Sequence, residues 1–157
     1  MADIHDVTDY VICRLVDGGV HLNQLKLQKL LFYVQAWHLA HHGRPLVPAR
    51  FQAWVHGPVS REVFDRFRGS KMLYSPIVRE DVRPGFNSEH ALRPEERAII
   101  DSVLEVYAPL SADQLEGLTH REDPWMAARG ERAPDERCEQ EIDEGLMATY
   151  YRARLTA

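Results

Sequence analysis

Cysteine is nearly absent from this 157-residue chain: Cys13 and Cys138 stand far apart, and neither belongs to a CxxC pair. That excludes a disulfide framework, a zinc finger and a dithiol redox motif, and it fits a reducing, cytoplasmic setting. Long apolar runs are missing too. The most apolar stretch, 22–40, is interrupted by Lys26, Gln28, Lys29, Gln35 and His38, too polar for a membrane span. The first residues, Met-Ala-Asp-Ile-His-Asp, lack the basic and apolar regions of a signal peptide, so a soluble, non-exported chain is expected. Positive charge is not in excess either. A net charge of -5 and a pI of about 5.9 leave no overall footprint for phosphate backbones, which disfavours nucleic-acid binding. Glycines are scattered apart from Gly18-Gly19, with neither a phosphate loop nor a GxSxG elbow, and no HExxH occurs.

What is present suits one domain over 1–157. Hydrophobic residues make up 45% and charged residues 27%, and a chain of this length buries roughly 70% of its unfolded surface without a staple. Charge is polarised along the chain. Residues 1–78 carry 9 Lys and Arg against 6 Asp and Glu, and residues 79–157 carry 10 against 18. Such asymmetry either steers a partner onto one face or is simply solvated surface.

Ile4, Val7, Tyr10, Val11 and Leu15 have helical spacing behind Asp3, a good N-cap, and Gly18-Gly19 ends that helix. A second helix is expected from Asn23 to Gly43. Its two apolar rows, Leu27, Leu30, Leu31, Val34, Trp37 and Phe32, Ala36, Leu39, Ala40, predict a largely buried helix. Arg50–Val55 alternates weakly and reads as a short strand, with His56–Val59 a turn and Ser60–Arg68 a short helix burying Val63, Phe64 and Phe67. Ser75–Arg79 reads as the strand that pairs with the first, and Gly85–Ala91 as loop. Pro94-Glu95-Glu96 opens a helix through Ile99, Val103, Val106 and Tyr107, which Pro109 stops. Ser111–Gln114 is a capping box for a further helix ending near Thr119. His120–Trp125 reads as a turn, and Ile142, Leu146, Met147, Tyr150 and Tyr151 as the stripe of a last helix. The fold class is therefore mainly α: a single compact helical domain with a small hairpin-like β element after the second helix.

Few residues suggest catalysis. His38, His41 and His42 fall at i, i+3 and i+4, where two or three imidazoles could share a metal, but no acidic residue lies among them and a helix end rich in histidine is also ordinary polar surface. No metal or other cofactor is expected. A small metal- or histidine-dependent enzyme using these residues or His120 is the alternative reading. Cys13 reads as core, and Cys138 stands among Glu136, Glu139 and Glu141, which blunts a thiolate. The acidic segment Glu131–Glu144 lacks the ligand order of a calcium loop and reads as an exposed helix face or a docking surface for a basic partner. Arg61, Arg66, Arg68 and Lys71 form a basic cluster diluted by Glu62 and Asp65, too weak for a DNA-binding repressor.

Three blocks carry a more specific signal: LKLQKLLFYVQAWH from Leu25 to His38, FQAWVHGPV from Phe51 to Val59, and THREDPW from Thr119 to Trp125. In order and spacing they resemble the Panacea domain of SocA-like and GepA-like antitoxins, with its KLQKLLYY helix, AWxxGPV turn and THxxxPW segment. The resemblance extends from about Asp6 to Tyr151. Departures are small: Asn23 preserves a capping role often held by threonine, and Phe32 lacks the hydroxyl of a frequent tyrosine. The resemblance implies a non-enzymatic antitoxin of a type II pair that binds a cognate toxin encoded nearby. For SocA-like members it further implies a proteolytic adaptor that delivers the toxin to ClpXP, through the ClpX unfoldase.

On a helix Lys26, Lys29 and Tyr33 share one face, opposite Leu27, Leu30, Leu31 and Val34. That stripe either recognises the partner or, through its lysines, merely keeps the helix soluble. Trp54, His56 and Trp125 complete the expected partner-binding set. Leu27, Leu30, Gly57, Pro58, His120 and Pro124 are expected to be structural, with Gly57-Pro58 making a rigid turn and His120 packing with Trp125.

Overall fold

The computed structural model describes residues 1–155, so the last two residues of the expected 1–157 domain lie outside the described residues. Asp3 accepts a hydrogen bond from the His5 backbone N–H at 2.7 Å and opens helix α1, Ile4–Asp17. Asn23 does the same for the Lys26 N–H at 2.8 Å and opens α2, Gln24–His42, which Gly43 closes in the left-handed conformation. The two apolar rows of α2 become almost complete burial. Helix α1, the hairpin and three later helices all pack around it.

Gln35 of α2 holds the following extended segment: its amide oxygen accepts from the N–H groups of Leu46 and Val47, and its amide nitrogen donates to the Val47 carbonyl. The chain then forms β1, Phe51–Trp54, and β2, Gly57–Ser60, antiparallel with Ala53 opposite Pro58 and Trp54 opposite Gly57. This corrects the expected pairing of the first strand with 75–79, because the strand lies within the supposed turn. Only Val55 and His56 separate the strands, no non-glycine residue among those described takes a positive φ, and Gly57, just after the turn, does so at φ 114°. Pro58 is tolerated because its partner Ala53 directs its own N–H away, to the Gln140 carbonyl at 2.9 Å. Residues 75–79 instead make one bridge, Asn23 to Pro76, and run into a 3-10 turn at Arg79–Asp81.

Ser60 caps α3, Arg61–Phe67, in which Val63 and Phe67 are buried and Phe64 is half-buried. Residues 85–91 are not all loop, since Asn87 caps the single turn α4, Ser88–Ala91. Helix α5, Pro94–Tyr107, buries Ile100, Val103, Leu104 and Tyr107, while the expected core residue Val106 is 64% exposed. The capping box of Ser111 and Gln114 forms and starts α6, Ala112–His120. The expected turn at 120–125 is a second correction. Only Arg121 and Glu122 separate α6 from α7, Asp123–Arg129, and Pro124 sits in the first turn of α7, where its missing N–H costs nothing. The acidic segment is no helix face either: its end lies extended on the free edge of β1, with the Ile142 N–H donating to the Phe51 carbonyl at 2.7 Å. Last comes α8, Glu144–Leu155, which packs Met147 and Tyr151 against α2. The mainly α class with one small hairpin is what the structure has.

Candidate functional site

The three sequence blocks meet inside the molecule. Lys29 in the middle of α2 is fully buried, and its stem runs over Gly57, where a Cβ would stand 2.8 Å from Lys29 Cε and 3.2 Å from Thr119 Oγ1. Each block thus supplies one wall, and Gly57 is there because a side chain would displace the lysine. Among the described residues Lys29 Nζ has no hydrogen-bond partner, and burial pushes the ammonium down to about 7, with Glu116 opposing. Lys26, one turn earlier, is 7% exposed and donates to the Ala108 carbonyl at 2.7 Å, capping α5. The premise that both lysines stand in solvent is therefore corrected. Two rows of leucine dominate that helix, so even its long cations are carried inside.

Tyr33, one turn beyond Lys29, is also buried. Its hydroxyl and that of Tyr151 donate to the same carboxylate oxygen of Glu122, at 2.7 and 2.8 Å, and its ring stacks on Tyr107 at 4.0 Å. Burial raises the pKa of Glu122 and the two hydroxyls lower it, and burial raises both phenols strongly. Leu27 and Leu30 are wholly buried beside this polar spine.

His120 stacks on Trp125 with ring centres 3.9 Å apart, and the Trp125 indole donates to the Trp54 carbonyl at 2.9 Å. Trp125 is 7% exposed. The imidazole meets the Val55 backbone, its Nε2 is buried without a hydrogen-bond partner among the described residues, and burial lowers its pKa. Pro124 is buried in the first turn of α7, and Pro58 is buried in β2. Of the other histidines, His38 bonds the Arg44 carbonyl at 2.7 Å through Nδ1, while His41 and His42 are exposed; no group of three or more potential metal ligands occurs among the described residues. Cys138 is buried and Cys13 is partly so, its thiol pushed up by burial.

Only Trp54 and His56 of the expected partner-binding set reach the surface. They line a cleft of about 350 Å³ between the hairpin and α3, floored by Leu25, Val59, Phe64 and Leu73, with Arg61, Arg68 and Arg137 at the rim. Trp54 packs edge-on to Phe64 at 5.0 Å, and His56 Nδ1 lies 3.1 Å from Glu116. The basic cluster is dispersed by pairing: Arg66 is bound to the buried Asp9, Lys71 to Asp81, and Arg61 to Glu139.

Two further anchors escape a reading of the sequence. Arg129, 3% exposed, donates to the carbonyls of Ala53, Ala133 and Glu136 and lies over the Trp125 ring. Gln28 clamps Ser60 by both its N–H and its carbonyl. A glutamine within the leucine rows of a buried helix was the available signal, since an amide there must find backbone partners.

The three blocks thus interlock in one helical interior, with the hairpin beside them. A family model described as "Antitoxin SocA-like, Panacea domain" matches residues 27–126, and the chain belongs to that family. It is 30% identical over 129 residues to Antitoxin SocA of Caulobacter vibrioides (strain NA1000 / CB15N), a match covering 78% of this chain and 68% of that protein. No solved structure matches the chain. No helix among the described residues is long and apolar enough to cross a membrane.

Proposed function

We propose that this antitoxin neutralises its toxin by binding it directly, and that it acts in the cytoplasm as an adaptor presenting the toxin to ClpX for degradation by ClpXP. The observation that carries the reading is the family match over residues 27–126, reinforced by the SocA relative that spans most of the chain. The arrangement of the blocks supports a binding role. Lys26, Lys29, Tyr33 and Trp125 act from inside, Lys26 by capping α5 and the others by fixing the hairpin and the α6–α7 corner, whereas Trp54 and His56 face the partner. Reversing the charge of a buried lysine would therefore probe the fold rather than the interface.

Growth of a bacterial host expressing the product of the adjacent reading frame, with and without this protein, tests the reading. Rescue is expected, and in a host lacking ClpXP rescue should fail while the toxin persists. Equal rescue without the protease would leave direct blocking and remove the adaptor step. A toxin unaffected by this protein in either host would overturn the proposal.

A further inference from the structure

We propose that the cleft between the hairpin and α3 receives an extended acidic segment of the toxin, an apolar side chain entering between Trp54 and Leu73 while flanking carboxylates meet Arg61, Arg68 and Arg137. The inference rests on the reading that the chain binds a toxin, and it names where and by what chemistry.

The floor is apolar and already formed, from Leu25, Val59, Phe64 and Leu73, and its volume of about 350 Å³ suits one large side chain with adjoining backbone. Beyond Leu73 the apolar surface continues into solvent. Met72 is 78% and Tyr74 61% exposed, and the Tyr74 ring lies 6.2 Å from that of His56. Large exposed side chains next to an open apolar cleft mark a surface that another chain covers.

Charge selects the occupant. Three guanidiniums share two carboxylates at the rim: Arg61 and Arg137 meet on Glu139, at 2.8 and 3.1 Å, and Arg61 and Arg68 on Asp65, at 3.7 and 3.1 Å. The rim is left with a positive excess on a chain whose total is -5. Arg61 lies over the Trp54 ring at 5.7 Å and Arg68 over Phe64 at 5.9 Å, so both planes are held at the cleft edge by the aromatic pair that shapes it. Guanidiniums placed in this way bond carboxylates bidentately, and they repel a basic segment. The pattern thus fits carboxylates on either side of an apolar anchor.

The test measures binding of the adjacent-frame toxin to the wild type, to an Arg61→Glu/Arg68→Glu variant, to the charge-keeping Arg61→Lys/Arg68→Lys variant, and to Arg137→Glu at a residue whose side chain is 84% exposed. Far-UV circular dichroism checks each fold. The double reversal should weaken binding by about tenfold or more and Arg137→Glu by less, with the lysine variant in between. Wild-type affinity in both reversals would overturn the proposal. A second arm uses the peptide acetyl-Asp-Leu-Phe-Glu-amide and its lysine counterpart acetyl-Lys-Leu-Phe-Lys-amide, followed by shifts of the Trp54 indole and Phe64 ring signals. Shifts with the acidic peptide alone are expected. Equal response to both peptides, no response, or displacement of the acidic peptide by a single-stranded oligonucleotide at equal concentration would sink the cleft assignment. If the wild type fails to bind the toxin, the toxin-binding reading falls, and the peptide arm still decides the chemistry of the cleft.

Discussion

Lys29 is a fully buried amine on the central helix, without a hydrogen-bond partner among the described residues. An amine of this kind ionises near 10.5 in the unfolded chain and near 7 in the fold. Between those values the unfolded chain holds the extra proton. Its contribution to stability therefore rises with pH across that window, by at most about 1.4 kcal/mol per pH unit. Lys29→Met keeps the stem and removes the amine, so it should stabilise the fold by about 1–3 kcal/mol at pH 7. That advantage should shrink towards pH 10. Urea midpoints of both proteins at pH 7, 8 and 9 check this, and parallel pH profiles would show that Lys29 is charged and solvated after all. Glu122 is the opposite case, a half-buried carboxylate with two phenol donors. Tyr33→Phe or Tyr151→Phe alone should cost about 1 kcal/mol, because the other hydroxyl remains. The double variant should cost more than the sum, since it strips the carboxylate of both donors, and a double-mutant cycle on unfolding free energies measures the excess.

Arg129 ties three elements together, since its guanidinium joins the β1 carbonyl of Ala53 to those of Ala133 and Glu136 and covers Trp125 on its own helix. Arg129→Met keeps the stem but leaves those carbonyls without their donor. The segment 130–141 should then open to limited proteolysis well before α2 does, at a cost of about 1–3 kcal/mol, and unchanged protection of that segment would contradict the role. No residue pattern announced this arginine, which stands beside Gly130 in a run of charged residues. The long helices were legible because capping residues and apolar rows coincide: Asp3, Asn23 and Ser111 all cap where the sequence placed them. The hairpin was misread because Gly57-Pro58 resembles a turn, whereas its glycine supplies the positive φ after the turn and its proline sits where no donor is needed. At the site, the blocks were legible as a set, but their burial was not. Lysine is ordinarily exposed, and only the path of α2 through the centre of the fold shows that Lys26 and Lys29 are enclosed.

At the scale of the whole molecule, no block can leave without exposing another. Gln28 holds both backbone groups of Ser60, Lys29 lies against Gly57, Tyr33 reaches Glu122, and Trp125 donates to Trp54. One hydrophobic cluster runs from Ala2 to Tyr151 through α2. A fold cross-linked in this way should unfold as one cooperative unit although its sheet is only two short strands. The three tryptophans make this measurable, since Trp37 reports on the packing of α2 against Tyr107 and Tyr151, whereas Trp54 and Trp125 report on the hairpin and α7. In Trp37→Phe, urea unfolding followed by the fluorescence of the remaining two should have the same midpoint as far-UV circular dichroism. The same should hold in Trp54→Phe/Trp125→Phe, where fluorescence reports on Trp37 alone. Each variant is compared with its own helical signal, so any loss of stability from the substitution cancels. A hairpin transition that came at lower urea than the helical one would separate the cleft-bearing corner from the core. Partner binding would then be coupled to local folding of that corner, with the surface assembled on contact instead of presented ready-made.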